Sequence, residues 1–293
     1  MSYSTLKKEH ERQIWKHPID IQQSISKEWF QYILDHPDKP WDYYGLSYNS
    51  NTTWEIIQSN STIEWRSVNV SLNPNITWEI VQSNPDKLWS YQYLSANPNI
   101  TIDIIEENPH KPWGYHSLSA NTNITWEIIQ SQPDIRWDYD LISKNPNITW
   151  SIIQANRHIN WNYNYLSLNP NVTWDIVKAN PHKPWNYDSL SVNPNITWEI
   201  VQANPDIEWN YKYLSRNPNI TWEIIQSNPD KPWKYYELSC NPNINWEIVE
   251  SNPHIQWDYY DLSRNNQTAN RKQRTKHLQM IRLQSILFQR IKN

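Results

Sequence analysis

The residues able to do chemistry in this sequence are distributed by rule rather than gathered into a site. His110, His182 and His254 recur at intervals of 72 residues, with His158 as an isolated fourth case. A metal would need its ligands side by side, and residues three repeats apart in a stacked array are not. Carboxylates such as Glu55, Glu79 and Glu127 recur in the same manner. They read as a solvated row, not as an opposed acid–base pair. Asn75, Asn99, Asn123, Asn147, Asn171, Asn195 and Asn219 each open an Asn-Ile-Thr or Asn-Val-Thr string, formally a glycosylation sequon. The leading residues MSYSTLKKEHERQIW carry no apolar secretory stretch, so these asparagines are expected to cap helices instead. Gly45 and Gly114 are the only glycines, which excludes a Gly-rich phosphate loop. The single cysteine, Cys240, excludes an internal disulfide framework and suits a reducing compartment. No Ser/His/Asp order stands out. The expectation is therefore a chain that is not an enzyme, with no cofactor and no metal.

What positions these residues is an internal repeat. Trp54, Trp78, Trp126, Trp150, Trp174, Trp198, Trp222 and Trp246 lie on one ladder with a step of 24 residues, Ile102 filling the missing rung and Phe30 the rung before Trp54. Trp41, Trp65, Trp89, Trp113, Trp137, Trp161, Trp185, Trp209, Trp233 and Trp257 form a second ladder with the same step. Eighteen of the 20 tryptophans fall on these ladders, which defines ten repeats from about residue 25 to residue 263 without insertion or deletion. A third ladder, two residues after the second tryptophan, consists of Tyr91, Tyr115, Tyr139, Tyr163, Tyr187, Tyr211, Tyr235 and Tyr259. Each unit reads approximately NPNITWEIIQS followed by NPDKPWxYxxLSx.

β-Branched and aromatic residues favour strands, so a β-solenoid is the alternative to be weighed. Three features argue for helices. Glycine is nearly absent, whereas tight β-coils need residues tolerant of positive φ. The apolar pairs Ile80-Val81, Ile104-Ile105 and Ile128-Ile129 are adjacent rather than alternating. Ile76 with Ile80, and Trp78 with Val81, continue a helical stripe. Asn75 or Asp86 would cap, Pro112, Pro184 or Pro232 would occupy a first turn, and each Asn-Pro would stop the helix. The sequence thus predicts an all-α fold: an α-solenoid of ten 24-residue repeats, each with two helices of about eight or nine residues, stacked as a rod or arc of the order of 100 Å. The tryptophans are read as inter-repeat core rather than as platforms for nucleic-acid bases.

The joint NPNITWEI and NPDKPW pattern resembles the tandem-repeat proteins encoded in many copies by giant DNA viruses of the mimivirus type. The resemblance covers about residues 25–263, with departures at Ser61, Val70, Ile102 and Asn245. It implies a viral origin and a repeat fold, hence a location in the host cytoplasm or the virion. It implies no activity.

The ends differ from the array. Residues 1–24 are expected to form an N-terminal helical cap starting at Ser4, with Ile14 and Trp15 covering the first repeat. Residues 264–293 contain eight Lys or Arg and no Asp or Glu, while the whole chain carries a net charge of −4, so residues 1–263 carry −12. This tail reads as a basic helix from Thr275, with Leu283, Leu287 and Ile291 on one side. It would dock as a cap, meet an acidic surface, or contact nucleic acid through Arg271, Lys272, Arg274, Lys276 and Arg282. No apolar run is long enough to span a membrane. The function expected is a scaffold for protein partners, with the tyrosine row as a candidate binding face and nucleic-acid contact through the tail as the alternative.

Overall fold

The computed structural model describes residues 1–16 and 20–292, and the side chains of all of these except 15, 16 and 290–292. Trp15 and Ile291 therefore lie outside the described side chains. Among the described residues every regular element is a helix, 22 in number, and no strand occurs. The all-α expectation is met. The chain divides into two compact units, one of Ser67–Leu238 and one of Met1–Arg66 with Ser239–Asn293.

Within Ser67–Leu238 each repeat carries a six-residue helix beginning at the first-ladder position, such as Trp78–Ser83 or Trp198–Ala203. A second helix of four to six residues begins at the tyrosine, such as Tyr91–Leu94 or Tyr187–Val192. These are shorter than the eight or nine residues expected, because both ends are fixed by side chains. Thr77, not Asn75, is the N-cap, its hydroxyl accepting from Ile80 N–H. Asn84 closes the other end, its Nδ2 donating to Ile80 O at 2.8 Å. Ile76 lies in the preceding turn and not on the helix, although it is fully buried. Pro112, Pro184 and Pro232 sit in the extended connector before the second tryptophan, not in a first turn. The tyrosine helix is capped by the residue after that tryptophan; Asn186 accepts from Ser189 N–H and Asp138 from Asp140 and Leu141 N–H.

Consecutive repeats are joined by a buried polar ladder. The hydroxyl of Ser95 donates to Tyr91 O at 2.8 Å and accepts from Gly114 N–H of the next repeat at 2.9 Å. Asn97 donates its amide hydrogens to Ser71 O and Asn73 O of the repeat before, both at 2.9 Å. Its Oδ1 accepts from Asn99 N–H at 2.8 Å. The sequon asparagines bridge rather than cap: Asn99 Nδ2 donates to Pro74 O and Ile76 O at 2.7 and 3.0 Å. Leu94, Ser95, Asn97 and Ile100 are fully buried, as are their counterparts Leu214, Ser215, Asn217 and Ile220. Burying an amide costs little only when its donors and acceptor are all satisfied, and here they are.

The other unit holds the first and last repeats together with three longer helices, Tyr3–Lys16, Ile21–Asp35 and Thr268–Lys292. The first begins at Tyr3, so Ser4 lies inside it rather than capping it. The last begins seven residues before the expected Thr275. It packs on both N-terminal helices around Ile14, Ile21, Ile25 and Leu278. Within this unit the first and last repeats are in contact. Asp42 N–H donates to Ser263 Oγ at 3.0 Å, and Asn49 Nδ2 donates to Ser263 O and Asn265 O at 2.9 and 3.3 Å. These are the same bonds that join successive repeats in the other unit. Gly45 makes room for the approach, since a Cβ there would stand 2.7 Å from Arg264 Cγ.

Candidate functional site

The second-ladder tryptophans are committed to the frame. Trp161 Nε1 donates to Asn156 O at 3.0 Å and Trp185 Nε1 to Asn180 O at 2.9 Å, and all ten rungs make this bond to the residue five positions earlier. First-ladder rings tilt against the second-ladder ring of the following repeat, as in Trp150–Trp185 at 5.6 Å and 39°. Neither ladder offers two open faces for a planar ligand.

The tyrosine row packs edge-on against the same rings. Tyr91, Tyr163 and Tyr211 stand 5.1 Å from Trp113, Trp185 and Trp233, and Tyr259 stands 5.1 Å from Trp41. Tyr139 and Tyr187 make looser contacts, 6.0 and 6.3 Å from Trp161 and Trp209. Partial burial pushes the Tyr211 and Tyr259 hydroxyls above their ordinary range. Of this row, Tyr115, Tyr187 and Tyr235 are exposed and the others half-buried. The row contributes to packing first, and to the surface second.

The column next to it behaves differently, and sequence reasoning passed it over. Tyr44, Val68, Gln92, His116, Asp140, Asn164, Asp188, Lys212, Tyr236 and Tyr260 occupy one position in ten successive repeats, and every one is exposed. Their chemistry varies from rung to rung, while the leucine two residues on is unexposed in nearly every repeat. The signal was available as variation on a fixed step of 24 residues.

Two open grooves lie in Ser67–Leu238, of about 540 and 700 Å³. The first is lined by Trp78, Trp89, Tyr91, Lys87, His110 and Lys111, among others. The second is lined by Trp150, Trp161, Tyr163, Arg157, His182 and Lys183, among others. They are the same junction three repeats apart. Among the described residues no group of three or more His, Cys, Asp or Glu is placed to hold a metal ion.

The tail residues are divided by the packing of the last helix. Arg274 is 9 % exposed and meets Glu28 through Nε and Nη2 at 3.0 and 2.9 Å, and also reaches Glu11. His10 Nδ1 lies 2.9 Å from the same Glu28. Burial alone would raise the Glu28 carboxyl, but the hydrogen bonds from His10 and Arg274 hold it below the usual carboxylate range. Arg271 donates to Ser50 O, Asn51 Oδ1 and Gln22 Oε1. Lys272 and Lys276 are exposed, and Arg282 is half-buried. Leu283 and Leu287 face outward at 60 and 58 % exposure. No described helix is long and apolar enough to cross a membrane.

Comparison with protein-family models, with curated proteins and with solved structures returned no match.

Proposed function

We propose that the chain is a non-enzymatic scaffold whose repeats present a variable surface to protein partners. The observation that carries this reading is the exposed column from Tyr44 to Tyr260, one residue per repeat, changing in charge, size and polarity on a constant frame. Repeat arrays use extended surfaces of this kind for recognition, and aromatic residues at some rungs suit an interface. The buried Ser/Asn ladder is the same beneath every rung, while several column side chains reach the cap of the next repeat at its edge, as His116 does Asp138 and Asp188 does Asn210. Contact with nucleic acid or an acidic surface through the tail would rest on Lys272 and Lys276, since Arg271 and Arg274 already bond inside the fold. The viral setting is supported by the resemblance of the repeat motif alone.

The test is affinity capture from the native cellular background with two baits. One is the unaltered chain; the other carries Ala at Gln92, His116, Asp140 and Asp188. The expected result is a protein retained by the first and lost from the second. Identical captures from both would count against the reading.

A further inference from the structure

The three-repeat spacing of His110 and His182 acquires a physical meaning in the grooves. In two repeats a Pro-Asp-Lys string pairs the aspartate with the lysine beside it: Asp38–Lys39 and Asp230–Lys231, both at 3.1 Å. At Asn108-Pro109-His110-Lys111 and Asn180-Pro181-His182-Lys183 the aspartate is replaced by histidine. Among the described residues Lys111 and Lys183 make no ion pair; each ammonium lies over a tyrosine ring, 5.3 Å from Tyr91 and 5.8 Å from Tyr163. Each groove gains a second cation, Lys87 in the first and Arg157 in the second, and no carboxylate lines either one. This is opposite in sign to the −12 carried by residues 1–263. His254 does not repeat the arrangement, because Ile255 follows it.

We propose that these two grooves are docking sites for an acidic, extended peptide segment of a partner protein. Its carboxylates meet Lys111 and Lys183, and an apolar side chain enters beside the tryptophan rings. The proposal rests on the scaffold reading and names the partner chemistry for one part of its surface. Opposite charge at a desolvated aromatic edge gives selection for acidic segments over neutral ones. The tilted and edge-on ring contacts in the second groove leave no pair of flat faces for bases, which favours a peptide over single-stranded nucleic acid.

The test uses the full chain, a short labelled peptide of alternating glutamate and leucine, its glutamine counterpart, and an oligothymidylate of similar length. Calorimetry is expected to give two equivalent sites for the glutamate peptide, with binding at least about tenfold weaker for the glutamine one. His110→Asp and His182→Asp restore the residue that Asp86, Asp134, Asp206 and Asp230 already supply in other repeats, so folding is not at stake. Each substitution is expected to remove one site, and both together to remove both. Unchanged binding in the double variant would overturn the groove assignment, as would failure of the unaltered chain to bind the glutamate peptide. Binding of the oligothymidylate at least as tight as that of the peptide would overturn it as well. None of these outcomes alters the capture result at the exposed column, so the two readings fail separately.

Discussion

Asn193 donates across the repeat junction to Ser167 O at 2.8 Å and Asn169 O at 3.1 Å, and accepts from Asn195 N–H at 2.8 Å. It is fully buried. Asn193→Asp keeps the shape but exchanges donors for lone pairs facing two carbonyls. The expected loss is at least about 3 kcal/mol of unfolding free energy, read from urea denaturation followed by tryptophan fluorescence. A loss below about 1 kcal/mol would contradict the ladder's role. Trp161→Phe removes the donor to Asn156 O and part of the ring, and is expected to cost about 2 kcal/mol in the same assay. The tryptophans were legible in the sequence because large aromatic residues on a fixed step announce a core. The Ser/Asn ladder was not, because Asn-Pro reads equally well as a turn or a cap, and polarity argues against burial until the partners are seen.

At the scale of elements, the kind of helix was readable and its length was not. Adjacent apolar pairs after Trp78 and Trp126 distinguish helix from strand. Length depends on which polar residue caps, and Thr77 took that position from Asn75. The terminal helices show the same limit. Charge identified the tail as basic, but only packing shows that Arg274 closes on Glu28 and Glu11. Removing one partner of a buried ion pair strands the other. Arg274→Met is therefore expected to destabilise the unit of the chain ends by about 3 kcal/mol in chemical denaturation. Replacing Glu28 by Leu as well should recover much of that loss. The pH dependence follows from Glu28, whose carboxyl is held below its ordinary value of 4.5. A folded carboxylate that binds its proton less readily than the unfolded one stabilises above the ordinary value and loses that contribution as pH falls through its lower folded value. The thermal midpoint of this unit is expected to drop on acidification below about pH 4.5, and a flat profile through the acid range would contradict the clasp.

At the scale of the whole molecule, the repeat accounts for most of what can be read from sequence, since one unit's local rules hold in each copy. The relation of the chain ends could not be read there. It depends on bonds between residues more than 200 positions apart, such as Asn49 with Ser263, which no local residue pattern records. Gly45 and Arg264 mark the place only in hindsight: Arg264 lies 3.8 Å over the Tyr260 ring and its Nε donates to Asp42. That the last repeat bonds to the first as successive repeats do is tested most directly by energy transfer between dyes. They are attached at Tyr44→Cys and Tyr260→Cys, with Cys240→Ala to remove the native thiol; both tyrosines are exposed, and Ala already occupies the equivalent position at Ala96 and Ala120. Near-complete transfer is expected, as for neighbouring helix layers about 10 Å apart. Transfer close to zero, as for the ends of an open stack separated by about 90 Å, would contradict it.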